Sequence, residues 1–158
     1  MCYVIPVSVV NSSYSFVQNY EMILNGYFLI LDIDKFKDIN DTYGHSAGDA
    51  VLQRIGEFLR SQFREGDIIG RIGGDEFIIL MKYVGSRTIA RKRVEAMLNE
   101  IRSMKHPELE GRPVTFSVGV VFSPESGSSF EELYKNADQA LYQTKRSGRN
   151  NYTVCELT

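Results

Sequence analysis

The sequence predicts an α+β domain: a β-α-β-β-α-β core with a helix and a strand appended. Three observations carry this expectation. A continuous apolar run, Tyr27-Phe-Leu-Ile-Leu31, has strand length and no polar alternation, so it belongs in the middle of a sheet covered on both faces. Two short apolar runs, 67–72 and 77–81, surround Gly73-Gly74-Asp75-Glu76 and read as a hairpin. Amphipathic stretches of helical period separate these strands and follow them.

In chain order, the opening MCYVIPVSVV is apolar but lacks a positive n-region and a small-residue cleavage site, and Pro6 interrupts it. It reads as an irregular or short extended lead-in rather than a secretory signal. Residues 12–25 place Phe16, Val17, Tyr20, Ile23 and Leu24 at helical spacing, and Asn25-Gly26 ends the run. Residues 1–26 are thus a lead-in with a helix, and 27–158 form the domain. Ala47, Val51, Ile55, Phe58, Leu59 and Phe63 share one face of a first core helix. Ile89, Val94, Met97, Leu98, Ile101 and Met104 make a second. Val114 to Phe122 is a strand rich in β-branched residues, Phe130 to Leu141 a third helix, and Asn151 to Cys155 a last strand. The order is the split-βαβ, ferredoxin-like pattern, in which the first strand lies beside the third in an antiparallel sheet with the core helices on one face. Asp32, at the end of the first strand, then comes close to Asp75 and Glu76 in the hairpin turn.

Composition bounds what such a domain does. With 158 residues, 43% of them apolar and 24% charged, the chain is one ordinary globular domain. Its net charge of −2 shows no basic excess, so no nucleic acid or anionic membrane face is expected as a partner. No apolar run approaches the roughly 20 residues of a membrane span. Cys2 and Cys155 stand at opposite ends without a Cys-x-x-Cys pair, which suits a reduced, cytoplasmic setting.

The chemistry gathers at the strand end. Asp32 and Asp34 flank Ile33, and Asp75 and Glu76 follow two glycines. Converging carboxylates need a compensating charge. Mg²⁺ supplies it through one or two carboxylates plus substrate phosphates, and two such ions can clamp both oxygens of a phosphoryl displacement. Gly73 and Gly74 let a phosphate or sugar approach the backbone. An ordinary hairpin turn would use the same four residues, so the turn alone does not decide.

Four linked motifs do. RIGGDEF (71–77) resembles the signature of the GGDEF family, the diguanylate cyclases. DIDKFKDINDTYGHSAGD (32–49), TFSVGV (115–120) and ADQALYQTKRSGRN (137–150) are similar to its other motifs, in order and spacing, over roughly residues 27–154. The resemblance implies a polymerase-palm-like fold and the condensation of two GTP into cyclic di-GMP, with pyrophosphate released twice. It also implies Mg²⁺ or Mn²⁺, two per active site when substrate is bound, and a homodimer whose two sites face each other. In isolation the chain is expected to be mainly monomeric.

Carried over residue by residue, Asp32 and Asp75 would bind metal with the Ile33 carbonyl, and Glu76 would complete the acidic cluster. Asp75 would also help deprotonate the 3′-hydroxyl. Lys37 would stabilise charge at the phosphates, and Lys145 and Arg149, one turn apart on the third helix, would hold the β- and γ-phosphates. Asn40 and Asp49 would read guanine, since an Asp accepts from its N1–H and N2–H₂ together. His45 would lie beside the substrate, or with Gly44 simply organise a turn. Arg64-x-x-Asp67 matches the family's product-inhibition site, where cyclic di-GMP binds; an Arg can fork onto a phosphate and stack on a base.

One departure stands out. The family's Asp-x-Leu-Thr-Gly-Leu-x-Asn-Arg stretch before the first strand has no counterpart in residues 1–26. In the family that stretch helps build the wall of the nucleotide pocket and joins the domain to its regulator, so its absence bears on activity and coupling and not on the fold. Separately, the resemblance implies an N-terminal sensory domain in a longer protein. Its loss supports a competing reading, a module that binds GTP or cyclic di-GMP as a sensor without turnover. The intact acidic residues support the enzyme, and Asp49 argues against a cyclase of altered base choice.

Overall fold

The computed structural model describes residues 4–5, 25–82 and 84–155. The elements are β1 (Val4–Ile5), β2 (Gly26–Ile33), α1 (Phe36–Tyr43), α2 (His45–Gln62), β3 (Ile68–Arg71), β4 (Glu76–Lys82), α3 (Arg87–Ser103), β5 (Phe116–Phe122), α4 (Phe130–Arg146) and β6 (Asn151–Val154). The helix expected over 12–25 lies outside the described residues, apart from Asn25.

One sheet in the order β1-β3-β4-β2-β5-β6 organises the domain. As expected, β2 lies beside β4, and it pairs antiparallel with both β4 and β5. The outer pairs β1–β3 and β5–β6 are parallel, so the sheet is mixed. The parallel β5–β6 pair follows from α4, which carries the chain back across the sheet as a crossover helix. Every residue of β2 is buried except Asp32, which is half-buried, as a central strand covered on both faces requires.

The two faces are covered unequally. Leu29, Leu31, Ile79 and Val118 meet Val51, Ile55 and Leu59 of α2 and Val94, Leu98 and Ile101 of α3 in the larger core. Phe28, Ile30, Ile78, Leu80 and Val121 meet Leu133, Ala137 and Leu141 of α4 in the smaller one. The core helices do share one face; the appended helix closes the other. A capping box between Ser129 and Glu132 fixes where α4 starts.

The short α1 had no clear sequence signal, because FKDINDTY carries few apolar residues. Gly44, at φ 88°, separates it from α2 and donates its N–H to the Asn40 carbonyl at 2.9 Å. Only a residue tolerant of left-handed backbone makes that turn without strain.

Gly119 sets how close α4 lies. A Cβ at this position of β5 would overlap the backbone of Ala137 and Leu141. We therefore expect Gly119→Ala to destabilise the domain by about 1–3 kcal/mol, the usual cost of overpacking, read as a lower urea midpoint with unchanged slope; an unaltered midpoint would show that α4 has room to shift.

Candidate active site

Strand register brings the acidic residues together. Asp32 of β2 stands directly opposite Glu76 of β4 on one side and Ser117 of β5 on the other. Directly paired residues project to the same face of a sheet. Asp32 continues the alternation of Phe28 and Ile30, and Glu76 that of Ile78 and Leu80, so both carboxylates face α4. The turn is tied in by the Ile33 N–H, which donates to the Asp75 carbonyl at 3.2 Å.

α4 answers this pair with one cation and one hydroxyl. Lys145 Nζ lies 2.8 Å from Asp32 Oδ2. The Tyr134 hydroxyl donates to Glu76 Oε1 at 3.0 Å. Burial pushes the Asp32 carboxyl above its ordinary pKa; Lys145 opposes the shift, and the charges of Asp75 and Asp34 add to it. Burial likewise raises Glu76, with the Tyr134 hydrogen bond opposing and the Asp32 charge adding. Tyr134 itself is pushed up to about 12, first by burial and then by Glu76.

The Gly73-Gly74 turn is held by Arg71, whose Nε donates to the carbonyls of both glycines at 3.1 and 3.2 Å. The Ile72 N–H closes it on the Glu76 carbonyl at 3.0 Å. Arg71 is the first residue of the matched RIGGDEF run, and its role as turn anchor was not anticipated.

Asp34 does a different job from Asp32. Buried, it accepts from Thr115 Oγ1 at 2.7 Å, Ser117 Oγ at 2.6 Å and the Asn150 N–H at 3.0 Å. It is thereby a clamp joining β2, β5 and the chain beyond α4. Arg102 fixes the same turn by bonding the side chain and carbonyl of Asn150, both at 2.7 Å. This corrects the placement of Arg149. α4 ends at Arg146, and Gly148, Arg149 and Asn150 all have positive φ. Arg149 therefore sits on a sharp turn past the helix, not one helical turn after Lys145.

The remaining candidates cluster where α1 meets α2. Lys37 is exposed on α1, His45 is exposed at the start of α2, and Asp49 is exposed just past the first turn of α2. Asn40 is half-buried, its amide oxygen resting where a Cβ of Gly48 would be. The bare Gly48 thus lets Asn40 nest against α2 next to Asp49. A cleft of about 540 Å³ opens on the other side of α1, lined by Lys35, Tyr43, Arg112 and Arg149 among others.

Arg64 and Asp67 lie at the opposite end of β4. Asp67 is 2% exposed, and it accepts from the Lys82 N–H at 3.0 Å and from Arg93 at 3.3 Å. Arg64 also reaches it, at 3.5 Å, and donates to the Lys82 carbonyl. Of this pair only Arg64 presents its side chain to solvent, 53% exposed.

The donor set fits a magnesium-like ion. Asp32 and Glu76 stand side by side, half-buried, and already draw an ammonium to one of them. Mg²⁺ takes one or two carboxylates and completes its shell with water and phosphate oxygens, and among the described residues no three His, Cys, Asp or Glu side chains cluster. No helix among the described residues is long and apolar enough to cross a membrane.

Comparison with known proteins identifies the family and the fold. The family model "Diguanylate cyclase, GGDEF domain" matches residues 18–151. The chain is 41% identical over 128 residues to the probable diguanylate cyclase DgcC of Escherichia coli, covering 80% of this chain and 34% of that protein. It superposes on the GGDEF domain of YfiN (TpbB) from Pseudomonas aeruginosa with a TM-score of 0.80 at 31% identity, covering 92% and 91% of the two chains. The active GGEEF domain of a diguanylate cyclase from Vibrio cholerae gives 0.79 at 28% identity, with 91% of each chain covered. The chain belongs to the GGDEF diguanylate cyclase domain family. It spans between 16% and 41% of the length of the curated relatives it matches.

The raised Glu76 pKa has a consequence for stability. A carboxyl whose pKa is higher folded than unfolded costs stability while ionised, and the cost fades as pH falls through the raised value. Glu76→Gln keeps an acceptor for Tyr134 and removes the charge. Its thermal midpoint is expected to exceed wild type at neutral pH, the gap closing below the ordinary carboxylate range of about 4. Melting curves across that range check this, and a variant less stable at neutral pH would contradict it.

Proposed function

We propose that the domain condenses two GTP molecules into cyclic di-GMP, and that it does so in the cytoplasm as part of a longer, regulated protein. The observation that carries this reading is the half-buried Asp32–Glu76 pair beside the Gly73-Gly74 turn, faced by Lys145. Asp32 and Glu76, joined by the Ile33 carbonyl and Asp75 from the adjoining turn, would hold Mg²⁺ or Mn²⁺, which would supply positive charge at the reacting phosphate. Lys37, Lys145 and Arg149 hold the triphosphate, the two cations near α4 reaching it from helix and turn. Lys145, 2.8 Å from Asp32, would be free to turn to the phosphates once that carboxylate is neutralised otherwise.

Asn40 and Asp49 read the guanine, with His45 at the rim. Two domains face each other, so that the 3′-hydroxyl of one GTP attacks the α-phosphate of the other. The P–O bond to the new ester forms as the bond to pyrophosphate breaks, Asp75 helping to take the hydroxyl proton. The same exchange between the other 3′-hydroxyl and the remaining α-phosphate releases the second pyrophosphate and closes the ring. Each half-site supplies one nucleotide, so rate rises faster than linearly with protein concentration. Product feedback enters through Arg64, with the enclosed Asp67 setting its angle. A second reading, nucleotide binding without turnover, draws on the missing Asp-x-Leu-Thr stretch of residues 1–26.

Mass analysis of products after incubation with GTP and Mg²⁺ separates the two readings. Asp32→Ala and Asp75→Ala are each expected to lower turnover by a factor on the order of a thousand, since removed charge stabilisation acts directly on the transition state. Near-normal synthesis by either variant would sink the assignment. For feedback, calorimetric titration of cyclic di-GMP should give a dissociation constant on the order of micromolar, about 8 kcal/mol. Arg64→Ala should lose most of that affinity while initial rates hold; equal affinity in the two proteins would leave Arg64 a helix-ending residue.

A further inference from the structure

We propose that Tyr134 is a positioning residue of the acidic site: its hydroxyl fixes the Glu76 carboxylate in the orientation that receives the metal ion. This rests on the cyclase reading above and adds to it a residue from outside the four matched motifs.

The argument begins with freedom. Glu76 is the first residue of β4, at the edge of the turn, and the strand backbone leaves the three torsions of its side chain free. Its neighbour Asp32 is shorter and is already held by Lys145. Glu76 is met by the Tyr134 hydroxyl, which donates to its Oε1 at 3.0 Å. A carboxylate oxygen that accepts from a fixed hydroxyl leaves the other oxygen with a defined direction.

An aromatic neighbour contacts the Tyr134 ring on one side. Tyr134 lies on α4 one turn after Phe130, with ring centroids 5.9 Å apart. Phe130 meets the Phe28 ring edge-on at 5.7 Å, which anchors the stack to β2. The ring is not wedged against Glu76 by crowding. A hollow of about 260 Å³, lined by Ile72, Glu76, Phe130 and Tyr134, lies beside it. Space to turn away exists, and the hydroxyl nevertheless meets the carboxylate. The contact is therefore polar in origin, and removing the oxygen alone tests it.

Tyr134→Phe retains the ring stack and deletes the hydroxyl. Mn²⁺ is titrated by electron paramagnetic resonance, alone and with an α,β-methylene analogue of GTP, and steady-state rates are measured beside it. The expected result is a loss of about tenfold or more in Mn²⁺ affinity and in kcat, with KM for GTP within about twofold and the melting curve little changed. In a Glu76→Ala background the same substitution should cause no further loss of Mn²⁺ affinity, because the hydroxyl acts only through that carboxylate. Wild-type affinity in Tyr134→Phe, or an equal loss with and without Glu76, overturns the proposal while an active wild type leaves the cyclase reading standing. A wild type that neither binds Mn²⁺ with the analogue nor makes product overturns both.

Discussion

Two carboxylates placed side by side on a half-buried sheet face are the constraint around which this domain is arranged. Asp32 and Glu76 are paired by β-register, so neither can move from the other without unzipping β2 from β4. Burial withdraws both from water and raises both pKa values, and the charge of Asp32 repels that of Glu76 and adds to its rise. The remaining features answer that repulsion. α4 brings an ammonium to one and a hydroxyl to the other. Asp34, two residues from Asp32, is removed from the cluster by three accepted hydrogen bonds and becomes mortar between strands. A third free carboxylate on that face would have made the site harder to hold.

That arrangement depends on close backbone contact elsewhere. α4 can reach the pair only because Gly119 admits its backbone onto β5, and Thr144 then secures it by donating to the Val118 carbonyl at 2.9 Å. Packing at the centre of the helix and polar reach at its two ends are parts of one solution. The larger core, on the opposite face, bears the bulk of apolar burial and leaves this face free for chemistry.

Much of this was legible in the residues. The unbroken apolar run at 27–31 foretold a central strand, and the Gly-Gly turn foretold the hairpin that meets it. From those two, the meeting of Asp32 with Glu76 followed across 44 positions of sequence. What was not legible depends on tertiary contact. α1 is too polar to announce itself, and its existence rests on Gly44 and on Asn40 nesting against Gly48. Asp34 and Asp32 look alike in sequence; alternation puts them on the same face, and only the partners offered by Thr115, Ser117 and Asn150 separate them. Arg149 seemed to continue the α4 helix, but three successive positive-φ residues stop it. Tyr134 falls inside α4, where its ring suits the apolar face, and only its oxygen, invisible to a periodicity argument, joins it to Glu76.

The reach of α4 also bears on which changes in chain length the domain can absorb. Tyr134 and Lys145 serve neighbouring carboxylates from 11 residues apart, about 16 Å along the axis. Inserting or deleting one residue between them would swing one relative to the other by about 100°. Either the hydroxyl or the ammonium would then point away from the sheet, although no individual residue had been altered. The loops before β5 and before α4 carry no such phase relation to the acidic pair. Homologous domains should therefore vary in length in those loops while keeping the spacing inside α4 constant.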